Sequence, residues 1–214
     1  DAVGALAALA QALSADGKRR NAPAKSARPH VPAGRLDAQT VSATIAALQP
    51  ENCIMMDEAL TVGVPYFEAS QSAPRFSHLM LTGGAIGQGP SSATGAALAS
   101  PQRKVVNFQS DGCGAYSVQA LWTQARENLD VLTVIGSNRS YNILSVEMLR
   151  AGVSSPGPIA RAMASLDKPH LDWVKISEGF GVPAVAVETA EALAREIERG
   201  LANRGPRLIE AIMA

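Results

Sequence analysis

Short apolar runs alternating with helix-like stretches constrain this chain more than any other feature. Cys53 to Met56, His78 to Leu81, Lys104 to Phe108, Val131 to Ile135, Ala184 to Val187 and Arg207 to Ile212 are nearly continuous in apolar residues, three of them after a basic first residue. A strand apolar at successive positions, rather than at every second one, has to bury both faces. Between the runs lie helical patterns near Ser92 to Ala99, Ala115 to Asn128, Ile143 to Leu149, Leu171 to Phe180 and Ala190 to Ala202. Strands separated by helices predict an α/β fold: a doubly wound, mostly parallel sheet with helices on both faces.

Ahead of this pattern the composition changes. Ala2 to Ser14 is rich in Ala and Leu at helical spacing, whereas Ala15 to Arg35 gathers Gly17, Pro23, Pro29, Pro32 and several Lys and Arg. Such a segment cannot bury enough apolar area to order itself, so residues 1–35 read as a helical arm and a Pro-rich basic linker. The folded domain, residues 36–214, then opens on Asp37, a plausible N-cap for a helix carrying Val41, Ile45 and Leu48 and ending at Pro50. The chain starts at Asp1 inside its Ala-rich segment, which predicts a piece of a longer polypeptide or a processed subunit.

The 214 residues carry 19 Lys and Arg against 19 Asp and Glu. A balanced charge argues against nucleic acid or an anionic membrane as partner. No apolar stretch approaches the length of about 18 residues that a membrane span needs, so a soluble, cytoplasmic protein is the expectation. Cys53 and Cys113 form no metal-ligand spacing and read as free thiols.

Asp111-Gly112 follows the run ending at Phe108, and Asn138 follows the next run, 27 residues after Asp111. One strand-loop-helix-strand unit of that length brings both side chains to the same edge of a parallel sheet. Read alone, Asp111 is the cap of the helix expected from Ala115. Paired with Asn138 it forms a hard, oxygen-only site suited to Mg2+ holding a diphosphate.

Ser110-Asp111-Gly112, spaced 27 residues from Asn138, resembles the Gly-Asp-Gly to Asn-Asn signature of thiamine diphosphate enzymes, in the group of acetolactate synthase and benzoylformate decarboxylase. Leu81 to Gly89, Tyr116 to Asp130 and Pro206 to Ala211 are similar to that family's C-terminal, diphosphate-binding domain, and the likeness runs from about Asp37 to the C-terminus. The resemblance implies thiamine diphosphate and Mg2+ as cofactors. Asp111, Asn138 and the carbonyl of Ser140 would be the metal ligands, and Gly112, Cys113 and Tyr141 would meet the diphosphate. The Gly84 carbonyl would accept from the aminopyrimidine, and Ile86 would wedge between the cofactor's rings to hold it bent. Read without the resemblance, Gly83 to Gly87 is a turn leading into a small-residue helix, and Tyr141 is a ring packed under a loop.

The implied activity is decarboxylation and carboligation of a 2-oxo acid, acetolactate synthase-like. The alternatives are simple decarboxylation of a benzoylformate-type 2-oxo acid and a non-catalytic cofactor-binding subunit. Ser110, Ser137 and Cys113 depart from the family pattern and motivate the last of these; Cys113 is also a weaker hydrogen-bond partner than the usual Ser. No catalytic residue can be assigned within the chain, because the family's activating Glu belongs to an N-terminal pyrimidine-binding domain or subunit, in a homodimer or tetramer. Leu144, Glu147 and Met148 are candidates to line the substrate cavity. His30, His78 and His170 read as surface or capping residues. Asp57-Glu58 reads as an acidic helix start, with a carboxylate pair at a strand end as the other possibility.

Overall fold

The computed structural model describes residues 1–13 and 28–213, so most of the expected linker lies outside the described residues. Six strands form one sheet: β1 (Ile54–Glu58), β2 (Ser77–Met80), β3 (Val105–Ser110), β4 (Val131–Ser137), β5 (Ala184–Val187) and β6 (Arg207–Ile212). Their order is β2-β1-β3-β4-β6-β5, and every pairing is parallel. Ten α-helices are described: α1 (Ala2–Ala12), α2 (Ala38–Leu48), α3 (Tyr66–Ala69), α4 (Gly89–Ala99), α5 (Asp111–Gly114), α6 (Ala120–Arg126), α7 (Asn142–Arg150), α8 (Pro158–Ala164), α9 (Trp173–Gly179) and α10 (Ala190–Ala202).

The period of two along each strand sorts the core onto two faces. Met55, Val106, Phe108, Leu132, Val134 and Ile209 point to one face, where they meet Val41 and Ile45 of α2 and Leu193 and Ile197 of α10. Ile54, Met56, Val105 and Val131 point the other way, against Ala93 and Ala97 of α4. Farther along that second face, Trp173 of α9 and Leu121 of α6 close over Ile135 and Leu208. Each fully buried Leu, Ile or Phe contributes roughly 1.5–3 kcal/mol of transfer free energy, so these clusters carry the scaffold.

Helix α2 begins as its sequence dictates. The Asp37 carboxylate accepts from the Thr40 amide at 2.7 Å, and the Thr40 hydroxyl accepts from the Asp37 amide at 2.7 Å, a reciprocal capping box. The final residues of the expected linker are fixed to this helix, with Arg28 donating to the Gln49 carbonyl at 2.7 Å. The helix expected over Ala115 to Asn128 is instead a 3-10 turn at Ala115–Ser117 followed by α6, and the short α5 precedes both.

The chain leaves β1 through α3 on the α2 face and leaves β3 through α5 and α6 toward the opposite face. Adjacent strands whose crossovers diverge open a crevice at their C-terminal ends, the place where open parallel sheets bind ligands.

Candidate functional site

At that crevice β3 ends in Ser110 and continues into Asp111, which is 1% exposed. One Asp111 oxygen accepts from the Gly112 amide at 2.8 Å; the other accepts from the Arg139 amide at 2.6 Å. The Arg139 contact joins the segment after β3 to the loop after β4, so the convergence expected from the spacing of Asp111 and Asn138 is present. Burial pushes the Asp111 carboxyl above its ordinary range, opposed by the amides of Gly112, Arg139 and Asn138.

Asn138 turns its side-chain oxygen to the Ser140 amide at 3.0 Å, which tightens the loop. The Ser140 hydroxyl donates to the Ala164 carbonyl at 3.1 Å, the Tyr141 amide donates to the same carbonyl at 2.8 Å, and the Leu166 amide donates to Arg139 at 2.8 Å. The end of α8 thereby braces the whole loop. Among the described residues no three His, Cys, Asp or Glu side chains gather to hold a metal. The donors at this edge are one carboxylate, one amide oxygen and backbone carbonyls, a set that suits a hard cation and not zinc.

Gly112 is required by space. A Cβ there would lie 2.5 Å from Cε1 of Tyr141, so backbone and ring are in direct contact. Cys113 is buried, and burial pushes its thiol up to about 11, which keeps it protonated and unreactive at neutral pH. Beside these residues a cavity of about 200 Å3 is lined by Ser110, Gly112, Cys113, Asn138, Ser140 and Tyr141. Apolar Leu60, Ile86, Leu144 and Met163 and the ring of Tyr116 also line it. The oxygen donors beside this cavity fit a metal-bound diphosphate, and the apolar lining fits an aromatic ring system.

Gly83, Gly84 and Gly87 all take positive φ, at 61°, 71° and 99°, in the loop between β2 and α4. Only glycine adopts these angles without strain. The Gly84 carbonyl accepts from the Ile86 amide at 3.0 Å, a three-residue turn that leaves the Ile86 side chain 39% exposed at the cavity wall.

Three readings of the sequence need correction. Asp57 and Glu58 do not start a helix: they close β1, and Glu58 is buried. Of the three residues proposed to line the substrate cavity only Leu144 does so, whereas Glu147 pairs with Arg150 at 2.6 Å on the surface. His78 is not a surface residue but sits half-buried between the rings of Tyr66 and Phe76, 3.5 Å from Asp57. Leu60, Tyr116 and Met163 were missed as cavity residues because each reaches it from a different element, the turn after β1, the 3-10 turn after α5 and helix α8. No local pattern marks them.

A parallel sheet with oxygen donors and glycine loops at its switch point defines a diphosphate-binding α/β domain. Residues 62–211 match the thiamine pyrophosphate enzyme C-terminal TPP binding domain, and the chain belongs to that family. IlvX of Mycobacterium tuberculosis, provisionally named an acetolactate synthase large subunit, is 44% identical over 89% of this chain and 37% of its own length. Benzoylformate decarboxylase of Pseudomonas aeruginosa is 31% identical over 97% of this chain and 39% of its own length. The solved thiamine diphosphate-dependent 4-hydroxybenzoylformate decarboxylase of Rhodococcus jostii superposes with a TM-score of 0.76 at 27% identity, covering 92% of this chain and 36% of the other. The chain therefore spans well under half the length of these relatives.

Proposed function

We propose that this chain supplies the diphosphate-binding part of a thiamine diphosphate- and Mg2+-dependent enzyme that decarboxylates a 2-oxo acid and ligates the remaining fragment to a second carbonyl, as acetolactate synthase does. The observation that carries the reading is the buried Asp111 carboxylate at the end of β3, gripping the Arg139 amide of the loop after β4. Asp111, Asn138 and the Ser140 carbonyl would hold Mg2+. Gly112, Cys113 and Tyr141 would face the diphosphate, and Gly84 with Ile86 would cradle the pyrimidine.

When bound, thiamine diphosphate supplies a carbon nucleophile for the substrate carbonyl and an electron sink for the carbanion left by CO2 loss. The chain's own residues bind and orient. The oxygen donors would hold the Mg2+ that neutralises and anchors the diphosphate, the apolar wall would exclude water, and Ile86, stiff at its branched Cβ, would restrict the geometry of whatever lies against it. The group that moves protons on the pyrimidine would come from a pyrimidine-binding domain or subunit, in a homodimer or tetramer. Apolar Val64, Phe67 and Met80, 73%, 66% and 56% exposed beside the ends of β1 and β2, support a partner surface there. No helix among the described residues is long and apolar enough to cross a membrane.

A second reading, decarboxylation of an aryl 2-oxo acid without ligation, is supported by the benzoylformate decarboxylase relatives and by Leu60, Tyr116, Leu144 and Met163 along the cavity. Product analysis from pyruvate and from benzoylformate, with thiamine diphosphate and Mg2+ present, separates the two: acetolactate from the first supports ligation, benzaldehyde alone from the second supports decarboxylation. Saturable cofactor binding with neither substrate consumed would mark a binding subunit.

A further inference from the structure

We propose that Glu58 is a positioning residue: its carboxylate clamps the amides of Gly87 and Gly89 and thereby fixes where the Gly84 carbonyl and the Ile86 side chain stand beside the cavity. The proposal rests on the cradle role given above to Gly84 and Ile86.

Glu58 is the last residue of β1 and 1% exposed. One of its oxygens accepts from the Gly87 amide at 2.5 Å and the other from the Gly89 amide at 2.8 Å. Each oxygen accepts from a backbone amide, a two-point contact that a carboxylate makes and that an amide side chain, with one acceptor end and one donor end, cannot reproduce. No ion pair involves it among the described residues; its charge is met by backbone dipoles at the start of α4. Burial pushes its carboxyl above the ordinary range, and the amides of Gly87, Gly89 and Gln88 pull it back.

The clamp is built from several strands. Gln109, paired with Glu58 across β1 and β3, packs against the same carboxylate and donates to Asn107 at 2.8 Å, and Asn107 donates to Thr133 of β4 at 3.2 Å. A Cβ on Gly89 would lie 2.4 Å from the Glu58 oxygen and 2.0 Å from Gln109 Nε2, so the loop lies directly on this row. From the other side the Ser117 hydroxyl donates to the Gly87 carbonyl at 2.5 Å. Gly83 and Gly84, by contrast, have nothing within 4 Å of where a Cβ would stand. The loop thus has open space beside Gly83-Gly84 and is held at Gly87 and Gly89, and the hold decides where Ile86 sits. Neither Glu58 nor Ser117 lies among the proposed metal or diphosphate contacts.

The test is amide hydrogen exchange and cofactor titration on the whole protein. In the wild type without cofactor, the Gly87 and Gly89 amides should exchange about tenfold or more slowly than those of Gly83 and Gly84, as charge-assisted hydrogen bonds require. Glu58→Gln should abolish that difference while leaving exchange in β3 and β4 unchanged. With thiamine diphosphate and Mg2+, Glu58→Gln should lower kcat about tenfold or more and change cofactor affinity by less than about threefold, since the diphosphate site is untouched. Equal exchange at all four glycines in the wild type overturns the proposal without any variant, and so does a Glu58→Gln protein whose affinity and kcat fall in proportion. Failure of the wild type to bind thiamine diphosphate would remove the cradle reading alone; normal binding with unprotected Gly87 and Gly89 would remove the clamp alone.

Discussion

Asp111→Asn separates the two demands on that residue. Its carboxylate is buried and accepts from two backbone amides. The amide side chain keeps one acceptor and turns an NH2 against the other backbone N–H, losing a charge-assisted hydrogen bond of about 1.5–3 kcal/mol. The same change relieves a buried charge whose penalty is several kcal/mol after relaxation. These offset, and the unliganded stability should move by no more than about 2 kcal/mol. Metal binding has no such compensation: deleting one charged partner of a buried contact costs about 3–5 kcal/mol, roughly 100-fold to 1000-fold or more in affinity. At a ligand concentration about 100 times the wild-type Kd, binding stabilises the protein by about 2.7 kcal/mol, which at 2–4 °C per kcal/mol raises Tm by roughly 5–10 °C. A 1000-fold weaker site gains less than about 0.1 kcal/mol under the same conditions. Thermal unfolding with thiamine diphosphate held constant and Mg2+ titrated against a chelator measures both quantities. A variant that keeps a Mg2+-dependent rise of several degrees would show that Asp111 is not a ligand.

Ile86→Ala should lower kcat more than cofactor affinity, because the side chain borders the cavity while the diphosphate donors are elsewhere; equal losses in both, measured by steady-state kinetics and titration, would remove the wedge role. Burial raises the Glu210 carboxyl, with the Ser137 hydroxyl opposing, so the folded state holds its proton to higher pH than the unfolded chain, whose carboxyl titrates near 4.3. Its contribution is present in acid and is lost as pH rises through the folded value, so Glu210→Gln should match the wild type near pH 4 and exceed it at pH 7 in urea midpoint. Gly136→Ala would place a Cβ 2.6 Å from Cγ1 of Val62 at the end of β4 and should cost about 1–3 kcal/mol by overpacking, read as a lower Tm.

The six strands were legible because a sheet covered on both faces demands apolar runs, and all six sit where those runs lie. Their C-terminal ends were not legible. β1 continues through Asp57 to Glu58, β3 through Gln109 to Ser110, and β4 to Ser137, polar residues that local hydrophobicity reads as loop. Helix α10 has the expected bounds because Thr189 caps it and its apolar residues recur on one face, whereas four-residue α3 and seven-residue α8 are too short to show a period. Asp111 and Asn138 could be paired because one crossover unit separates them. Glu58 could not be paired with its partners, since the amides it holds lie 29 and 31 residues away in a glycine loop whose path only tertiary packing decides.

That difference bears on how the site is held in shape. Glu58 and Asp111 stand at or just beyond the ends of β1 and β3, the two strands between which the chain's crossovers diverge. Each is a buried carboxylate, and each spends its oxygens on backbone amides, Glu58 on the loop after β2 and Asp111 on the loop after β4. Burying two such acids works against stability, as the raised values of both carboxyls record. Apolar residues at these positions would pack the same sheet, but they could not draw two loops from strands on either side across one crevice. The apolar clusters offset the cost, and the crevice is preorganised by the two strands that flank it rather than by the loops themselves.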